Sequence, residues 1–352
     1  MAYAELEGEQ VRQLINAEQV FDAYRAARTT FRERFGGSLT WKTVGGHDYL
    51  YRAHRPGAWK SLGPRSPETE LIHGRFVDGR KRARLRTALL AKRLDHMAAL
   101  NQVHRLGRLP VTAARILRAL DDAKLTKPIV ATVGTNALYV YERMVGVQVA
   151  EAMLATADID LLYDARASLK LVVPEVAATG VVGLLRKVDR SFEITGKGGF
   201  RAENRDGYVV DLITPAPRDP IRLSREHRIG TVGEDLNAVE IFGLSWLVNS
   251  PKITATVMDL RGYPVSMTVP DPRAFALHKS WLAGRPDREP AKQRRDRSQA
   301  KLIATLVTRY LPHLGFEDAA LSALPADLRA QAPSLIRADT SGQDEGEIEP
   351  DW

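Results

Sequence analysis

Apolar positions recur with two different periods along this chain, and the two periods predict different elements. Residues 9–35 carry apolar side chains at helical spacing, and a second helical pattern runs from Glu68 to about Arg105. Between them, residues 38–54 form two β-rich arms around Gly45-Gly46, which predicts a hairpin. The Gly, Pro and Ser content of residues 58–70 predicts a loop.

Two short apolar runs in the middle of the chain carry carboxylates. Residues 158–163 predict a strand, and Asp158 and Asp160 share one face of it because successive strand side chains point to opposite faces. Residues 207–213 predict a second strand, with Asp211 inside it. Two carboxylates on one face repel each other, and a hard divalent cation such as Mg²⁺ relieves that repulsion. A lone acid in an apolar strand is costly unless it is paired or bound to a metal.

A predicted strand at residues 129–133 ends in Gly134 and Thr135, and helical spacing follows from Ala137 to Met144. The backbone N–H groups at a helix start, here including that of Asn136, favour a phosphate, and so does the helix dipole. The stretch therefore combines a phosphate cradle with carboxylates for a cation. Transfer of a nucleotide from an NTP requires both.

The order of these motifs resembles the signature of the polymerase-β-type nucleotidyltransferase superfamily. The motifs are Gly134-Thr135, then Asp158-x-Asp160, then Asp211 between apolar residues. The resemblance implies that the turn holds the triphosphate and the first two acids bind the metals, while the third completes the site and helps to activate the attacking hydroxyl. Thr135 departs mildly from the usual Gly-Ser or Gly-Gly.

The likeness covers roughly residues 125–310. It is strongest to uncharacterised bacterial proteins with a nucleotidyltransferase fold, and more distant to the abortive-infection toxin nucleotidyltransferases. The residues alone leave an alternative open: Asp158 and Asp160 would then line a solvated strand edge, and Asp211 would cap a turn.

The toxin branch implies two further site residues. Asp271 and Pro272 begin a predicted helix to Ala283, as an N-cap and a first helical residue. In that branch a Lys on such a helix belongs to the site, and a second Lys and an Asp follow one helix later. The resemblance therefore implies that Lys279 meets the triphosphate as a point charge and that Asp296 orients Lys279 or a substrate group.

Composition and charge narrow the class of protein. The chain has 352 residues, which predicts two domains, and no cysteine, which excludes disulfides and thiol chemistry. The N-terminus is acidic and lacks a hydrophobic signal region, and no window approaches the roughly 18 apolar residues that span a membrane. We therefore expect a cytoplasmic protein without membrane association.

The net charge of +8 and the pI of about 9.6 allow a polyanionic partner. Clusters of Lys and Arg at residues 80–93 and 285–301 suit the phosphates of RNA, although a solvated helix face explains the first cluster equally well. Within residues 58–70, five residues suit a substrate phosphate, and an ordinary surface loop explains them as well: Lys60, Ser61, Gly63, Arg65 and Ser66.

The predicted fold is α+β: a small, mixed and twisted sheet that bears the three acids and is wrapped by helices. We expect a mainly helical N-terminal region with a hairpin (residues 1–108), a nucleotidyltransferase core (109–270), a C-terminal helical region (271–336) and a disordered acidic tail (337–352).

The expected activity is metal-dependent nucleotidyl transfer. An NMP would move from an NTP, ATP among the options, to an acceptor hydroxyl, and pyrophosphate would leave. Two Mg²⁺ ions about 3.5–4 Å apart, or Mn²⁺ in their place, would neutralise the reacting oxygens. RNA is the expected acceptor, with a tRNA 3′ end implied by the toxin branch, and a protein hydroxyl is the second option. The rival is a catalytically silent module that binds RNA or a protein partner.

Overall fold

The computed structural model describes residues 2–55, 57–126, 129–168, 174–196, 198–217, 227–229 and 232–337. Helices and strands are mixed throughout these residues, so the predicted α+β class is confirmed. The chain divides into two compact units. Of the described residues, those within 1–7, 108–260 and 265–337 form the larger unit, and those within 8–107 and 261–264 form the smaller unit.

The first elements of the chain are a short strand, a long helix, three strands and a second long helix: β1 (Tyr3–Glu5), α1 (Gly8–Phe35), β2 (Ser38–Val44), β3 (His47–Arg55), β4 (Ala58–Pro64) and α2 (Pro67–Val103). The elements that follow are shorter: α3 (Val111–Asp122), β5 (Val130–Val133), a 3-10 helix (Gly134–Ala137), α4 (Leu138–Val145), β6 (Val147–Val149), α5 (Glu151–Leu154), β7 (Asp158–Tyr163), α6 (Ala165–Ser168), α7 (Pro174–Val188), β8 (Glu193–Thr195), β9 (Arg201–Glu203), β10 (Val209–Pro215), β11 (Val239–Ile241), α8 (Leu244–Asn249), β12 (Lys252–Met258), β13 (Pro264–Pro270), α9 (Pro272–Ala283), α10 (Pro290–Tyr310), a 3-10 helix (Ala319–Leu321), α11 (Ala326–Arg329) and α12 (Ala332–Arg337).

The central sheet of the larger unit has the strand order β5-β7-β10-β9-β8, and β11 also pairs with β10. Strands β7 and β10 are parallel, whereas β5 and β9 run antiparallel to their neighbours. One face of β7 and β10 is apolar and buried, with Ile159, Leu161, Val210 and Leu212 in the core. The alternation along both strands leaves the acids on the opposite face.

In the smaller unit, α1 and α2 are accompanied by the antiparallel sheet β2-β3-β4. The predicted hairpin around Gly45-Gly46 is confirmed as β2 and β3. The predicted loop at residues 58–70 is wrong in its first half, because residues 58–64 pair with β3 as the strand β4. Backbone pairing across a register shift accommodates the Gly and Pro residues that indicated a loop.

Two residues from that stretch have structural partners. The Arg65 guanidinium pairs with Glu70 and Asp48, and the Ser66 hydroxyl caps α2 in a capping box with Thr69. These contacts give both residues a role that requires no phosphate. The cluster at residues 80–93 lies on α2, where its Lys and Arg side chains are exposed.

The unit boundary after residue 107 lies next to the predicted boundary after residue 108. Residues 1–7 belong to the larger unit, because β1 pairs with β6, and residues 271–336 lie in the same unit as the central sheet. Of the predicted acidic tail, residues 338–352 lie outside the described residues. No helix within the described ranges combines the length and apolar character needed to cross a membrane.

Candidate functional site

The pairing of β7 with β10 brings the three predicted acids to one place. Asp160 and Asp211 are direct partners in the parallel register, so their side chains lie next to each other on one face of the sheet. Asp158 lies two residues before Asp160 on the same strand and shares that face. Strand spacing alone predicts the Asp158–Asp160 relation, while the relation to Asp211 depends on the register.

The turn at Gly134 follows β5 directly and packs against this acidic face. Gly134 has a φ of +66°, and a Cβ at this position would lie 2.0 Å from Oδ2 of Asp160. A side chain is therefore excluded by space as well as by backbone conformation. The chain then turns into the 3-10 helix and α4, so that the first backbone N–H groups of this helical segment lie beside the acids.

The two residues after Gly134 are buried and held by neighbouring elements. Nε2 of Gln299 on α10 lies 3.4 Å from the Thr135 hydroxyl. Nδ2 of Asn136 donates to the backbone carbonyl of Asp158 at 2.7 Å. The Asn136 side chain therefore ties the turn to β7, and its contribution to a phosphate site is limited to its backbone N–H.

A cavity of about 290 Å³ lies in front of the acids and the turn. Gly134, Thr135 and all three acids line it. Five cationic residues line it as well: Arg201, Lys279, Arg288, Lys292 and Arg295. The last three belong to the predicted cluster at residues 285–301. Carboxylates and cations thus face one cavity, an arrangement suited to a ligand that carries phosphates and a metal ion.

Lys279 and Asp296 form a buried ion pair between α9 and α10. Nζ of Lys279 lies 2.6 Å from Oδ1 of Asp296, and an amino group of Arg288 lies 2.9 Å from Oδ2. Burial lowers the pKa of Lys279, and the Asp296 carboxylate opposes that shift. One carboxylate between two cations leaves the cluster with a net positive charge beside the cavity.

Asp211 is already paired across the sheet. Arg201 on β9 is its partner in the antiparallel register, and the guanidinium contacts both carboxylate oxygens at 2.7 Å. This bidentate hydrogen bonding raises the pKa of Arg201. Sequence reasoning missed Arg201, because only the register of β9 with β10 reveals that it opposes Asp211.

The electrostatic state of Asp160 reflects its surroundings. Burial raises the pKa of Asp160 to about 6, and the charges of Asp158 and Asp211 act in the same direction. Lys279 and Arg288 oppose this shift but do not cancel it. Ionisation of all three carboxylates is therefore unfavourable at this site, and a bound cation would relieve their repulsion.

The three acids fit a divalent cation by the chemistry of their oxygens, by their shared face and by their mutual repulsion. Across the part of the chain that the structure describes, however, no group of three or more His, Cys, Asp or Glu side chains is arranged to hold a metal ion. Arg201 engages both oxygens of Asp211, and the Thr156 hydroxyl hydrogen-bonds Asp158. A cation held by all three acids would have to displace Arg201.

Part of the cavity wall is apolar. Ile241, Leu244, Leu247 and Leu282 line it together with His278. The imidazole of His278 contacts the ring of Trp281, with the centroids 5.6 Å apart, and burial lowers the pKa of His278 to about 3. Only the packing of α8 against α9 shows that a neutral imidazole lines the cavity.

Of the eight predicted site residues, six line the cavity, and the other two contact residues that line it. The lining residues are Gly134, Thr135, Asp158, Asp160, Asp211 and Lys279, and the supporting residues are Asn136 and Asp296. Besides the contact of Arg201 with Asp211, sequence reasoning missed that Arg288, a member of the predicted basic cluster, pairs with Asp296. No local signal distinguishes either residue from the many other arginines of this basic chain.

Comparison with known protein families identifies a match in the middle of the chain. The model of a family described as "Nucleotidyltransferase" matches residues 112–325, a range that contains every residue lining the cavity. Neither a curated protein nor a solved structure matches the chain.

Proposed function

The chain belongs to this nucleotidyltransferase family, and from that premise we propose that its cavity transfers an NMP from an NTP to an acceptor hydroxyl, with RNA as the acceptor. One observation carries the proposal. The carboxylates of Asp158, Asp160 and Asp211, the Gly134 turn and Lys279 line a single cavity within the matched range.

The cationic side of the cavity suits the triphosphate. Lys279 and Arg288 share Asp296 and keep a net positive charge, and Lys292 and Arg295 line the same cavity. The backbone N–H groups that follow Gly134 add donors without side-chain bulk. These groups hold the β- and γ-phosphates and stabilise the negative charge of the departing pyrophosphate.

The acidic side suits the chemistry at the α-phosphate. The attacking hydroxyl oxygen forms a bond to the α-phosphorus, and the bond from that phosphorus to the bridging oxygen of the β-phosphate breaks. Asp211 accepts the hydroxyl proton after its carboxylate has left Arg201. Asp158 and Asp160 are the residues that would hold Mg²⁺ or Mn²⁺, with Asp211 completing the set. When bound, such a cation neutralises the triphosphate and lowers the pKa of the attacking hydroxyl.

The apolar side suits the nucleoside. Leu244, Leu247 and Leu282 offer an aliphatic surface for a base and a ribose, which are the least polar parts of an NTP. Lys292 and Arg295 bring the cluster at residues 285–301 to the cavity, and that charge supports an RNA acceptor near the reacting phosphate.

Purified full-length protein is incubated with Mg²⁺, each α-³²P-labelled NTP in turn, and total RNA or cell lysate. The control is Asp158→Asn/Asp160→Asn, which keeps side-chain shape and removes two charges. We expect label in an RNA band with the wild type and none with the folded control.

Label in a protein band would replace RNA with a protein hydroxyl as the acceptor. No transfer with any NTP from folded wild-type protein, despite RNA binding, would overturn the proposed reaction and favour the silent binding module.

A further inference from the structure

The sheet β2-β3-β4 of the smaller unit has one face that packs on α2 and one face that α2 does not cover. On the packed face, Trp41 contacts His73 of α2, with the ring centroids 5.7 Å apart, and Arg52 lies over Phe76 at 4.5 Å. Leu50 on the same face is fully buried. Side chains alternate along each strand, so residues of the other parity point away from α2.

The face away from α2 carries aromatic rings. The register places Tyr51 opposite Thr40 and Ser61, Tyr49 opposite Lys42, and Trp59 opposite Ala53. Tyr49, Tyr51, Trp59 and Lys42 therefore share this face. Trp59 is 43% exposed. The solvated face of an antiparallel sheet is normally polar. Here it carries one exposed ring, Trp59, and two half-buried rings, Tyr49 and Tyr51, which indicates a ligand-binding surface.

Lys42 spans this face. Its Nζ lies 3.4 Å from the centroid of the Trp59 ring and 5.4 Å from that of Tyr51, so the side chain reaches from β2 across β3 to β4. Among the described residues Lys42 forms no ion pair with a carboxylate. Within the described ranges its ammonium group contacts only the faces of the Trp59 and Tyr51 rings, so it can still bind an anion that reaches this face.

The charge of the smaller unit identifies the kind of ligand. Residues 8–107 and 261–264 contain 20 Lys and Arg against 9 Asp and Glu, a formal net charge of +11, which exceeds the +8 of the whole chain. The rest of the chain is therefore slightly acidic. A polyanion is attracted to this unit, and the aromatic face adds a requirement for flat, stackable groups.

We propose that the outward face of β2-β3-β4 binds single-stranded nucleic acid, with bases stacked on Tyr51 and Trp59 and a phosphate on Lys42. A duplex hides its base faces within its own stack, so the rings can be reached only by an unpaired strand. We also infer that the bound strand is the acceptor RNA, and this part of the inference rests on the reaction proposed above.

The test measures the anisotropy of a fluorescein-labelled single-stranded RNA of about 12 nucleotides against full-length protein at fixed salt. A duplex of the same sequence and a single-stranded DNA are measured in parallel. The variants are Trp59→Ala, Trp59→Phe, which keeps a ring, and Lys42→Gln. Leu71→Ala is the matched control, because Leu71 is an exposed apolar residue of the same unit that lies on α2.

Loss of one stacked base weakens binding by about fivefold to 100-fold, so Trp59→Ala should fall in this range for the single strands. Trp59→Phe should stay within about threefold of the wild type, and Leu71→Ala should be unchanged. Lys42→Gln should weaken binding and flatten its salt dependence by about one phosphate contact. The duplex should not respond to Trp59→Ala.

Equal affinity of Trp59→Ala and wild-type protein for the single strand overturns the proposal. So does an equal loss for the single strand and the duplex, because a contact that a duplex also makes is not stacking on unpaired bases. Because this assay contains no NTP, its outcome is separate from that of the transfer assay. If Trp59→Ala weakens single-strand binding but no NMP is transferred, only the proposed reaction is refuted. If NMP is transferred to RNA but Trp59→Ala binds the single strand as the wild type does, only the proposed binding face on β2-β3-β4 is refuted.

Discussion

Replacing Arg201 with alanine should strengthen the binding of a divalent cation, because the substitution frees Asp211. Both oxygens of the Asp211 carboxylate accept hydrogen bonds from the Arg201 guanidinium at 2.7 Å. A cation at the acids competes with that guanidinium for the same lone pairs. Arg201 therefore lowers cation affinity by the free energy of the pair it forms with Asp211.

The structure sets the magnitude of this competition. The Arg201 side chain is 41% exposed and that of Asp211 is 13% exposed, so solvent screens the pair from one side. Hydrogen bonds to charged groups contribute about 1.5–3 kcal/mol, whereas exposed pairs contribute about 0–1 kcal/mol. A value of about 1 kcal/mol corresponds to roughly fivefold tighter cation binding in Arg201→Ala. Removal of a positive charge beside Asp158 and Asp211 acts in the same direction.

Isothermal titration of Mn²⁺ without nucleotide measures this affinity independently of turnover. Arg201→Lys keeps the charge and loses the bidentate geometry, so its affinity should lie between those of Arg201→Ala and the wild type. Arg205→Ala is the matched control, because it removes an equal charge from an exposed arginine that lies on the turn after β9. In Asp211→Asn, removal of Arg201 should give little or no gain.

A second readout follows from the same contact. Without a cation, Arg201→Ala leaves Asp211 facing Asp160 unshielded, so its melting temperature should be below that of the wild type and should recover as Mn²⁺ is added. The reasoning is refuted if folded Arg201→Ala binds Mn²⁺ no more tightly than Arg205→Ala does.

Three further predictions address the surroundings of the acids. Asp296→Ala leaves Lys279 buried without its carboxylate and should lower the free energy of unfolding, measured in urea, by about 3–5 kcal/mol. The double variant Lys279→Met/Asp296→Leu should recover most of that loss. Equal stability of Asp296→Ala and the double variant would contradict a buried ion pair. Burial lowers the pKa of His278 from 6.5 to about 3, so between these pH values the folded protein binds fewer protons than the unfolded chain. The stability that is present above pH 6.5 is therefore lost as the pH falls, by about 2 kcal/mol at pH 5. The melting temperature of His278→Phe should lack this part of the decrease. Gly134→Ala places a Cβ 2.0 Å from Oδ2 of Asp160 and should lower NMP transfer by about tenfold or more, measured with labelled NTP; wild-type transfer by this variant would show that the turn tolerates a side chain.

The local part of the site was predictable from the sequence. Alternation along a strand put Asp158 and Asp160 on one face, and a break after an apolar run placed Gly134 at the start of a helix. The helix from Asp271 was also predictable, since the Asp271 side chain accepts a hydrogen bond from the N–H of Arg273, as an N-cap does. These features depend on neighbours within a few residues, and side-chain type decides them.

The same local reasoning was wrong at residues 58–64. Gly63 and Pro64 favour a loop, yet this stretch is β4 because β3 supplies its hydrogen-bond partners across a register shift. That pairing creates the face on which Trp59 and Lys42 meet. Local composition predicts the conformation that a segment favours by itself, and it does not show whether another strand is available to pair with that segment.

The sequence by itself determined the long helices, the hairpin of β2 and β3, the acid-bearing strands β7 and β10, and the resemblance to a nucleotidyltransferase superfamily. Tertiary structure alone decided that Asp211 is the partner of Asp160, that Arg201 opposes Asp211, and that the pair of Lys279 and Asp296 is buried. The physical reason is the range of the interactions. Periodicity and capping act within one or two turns of chain, whereas register, burial and ion pairing are set by elements that meet only when the whole unit has folded.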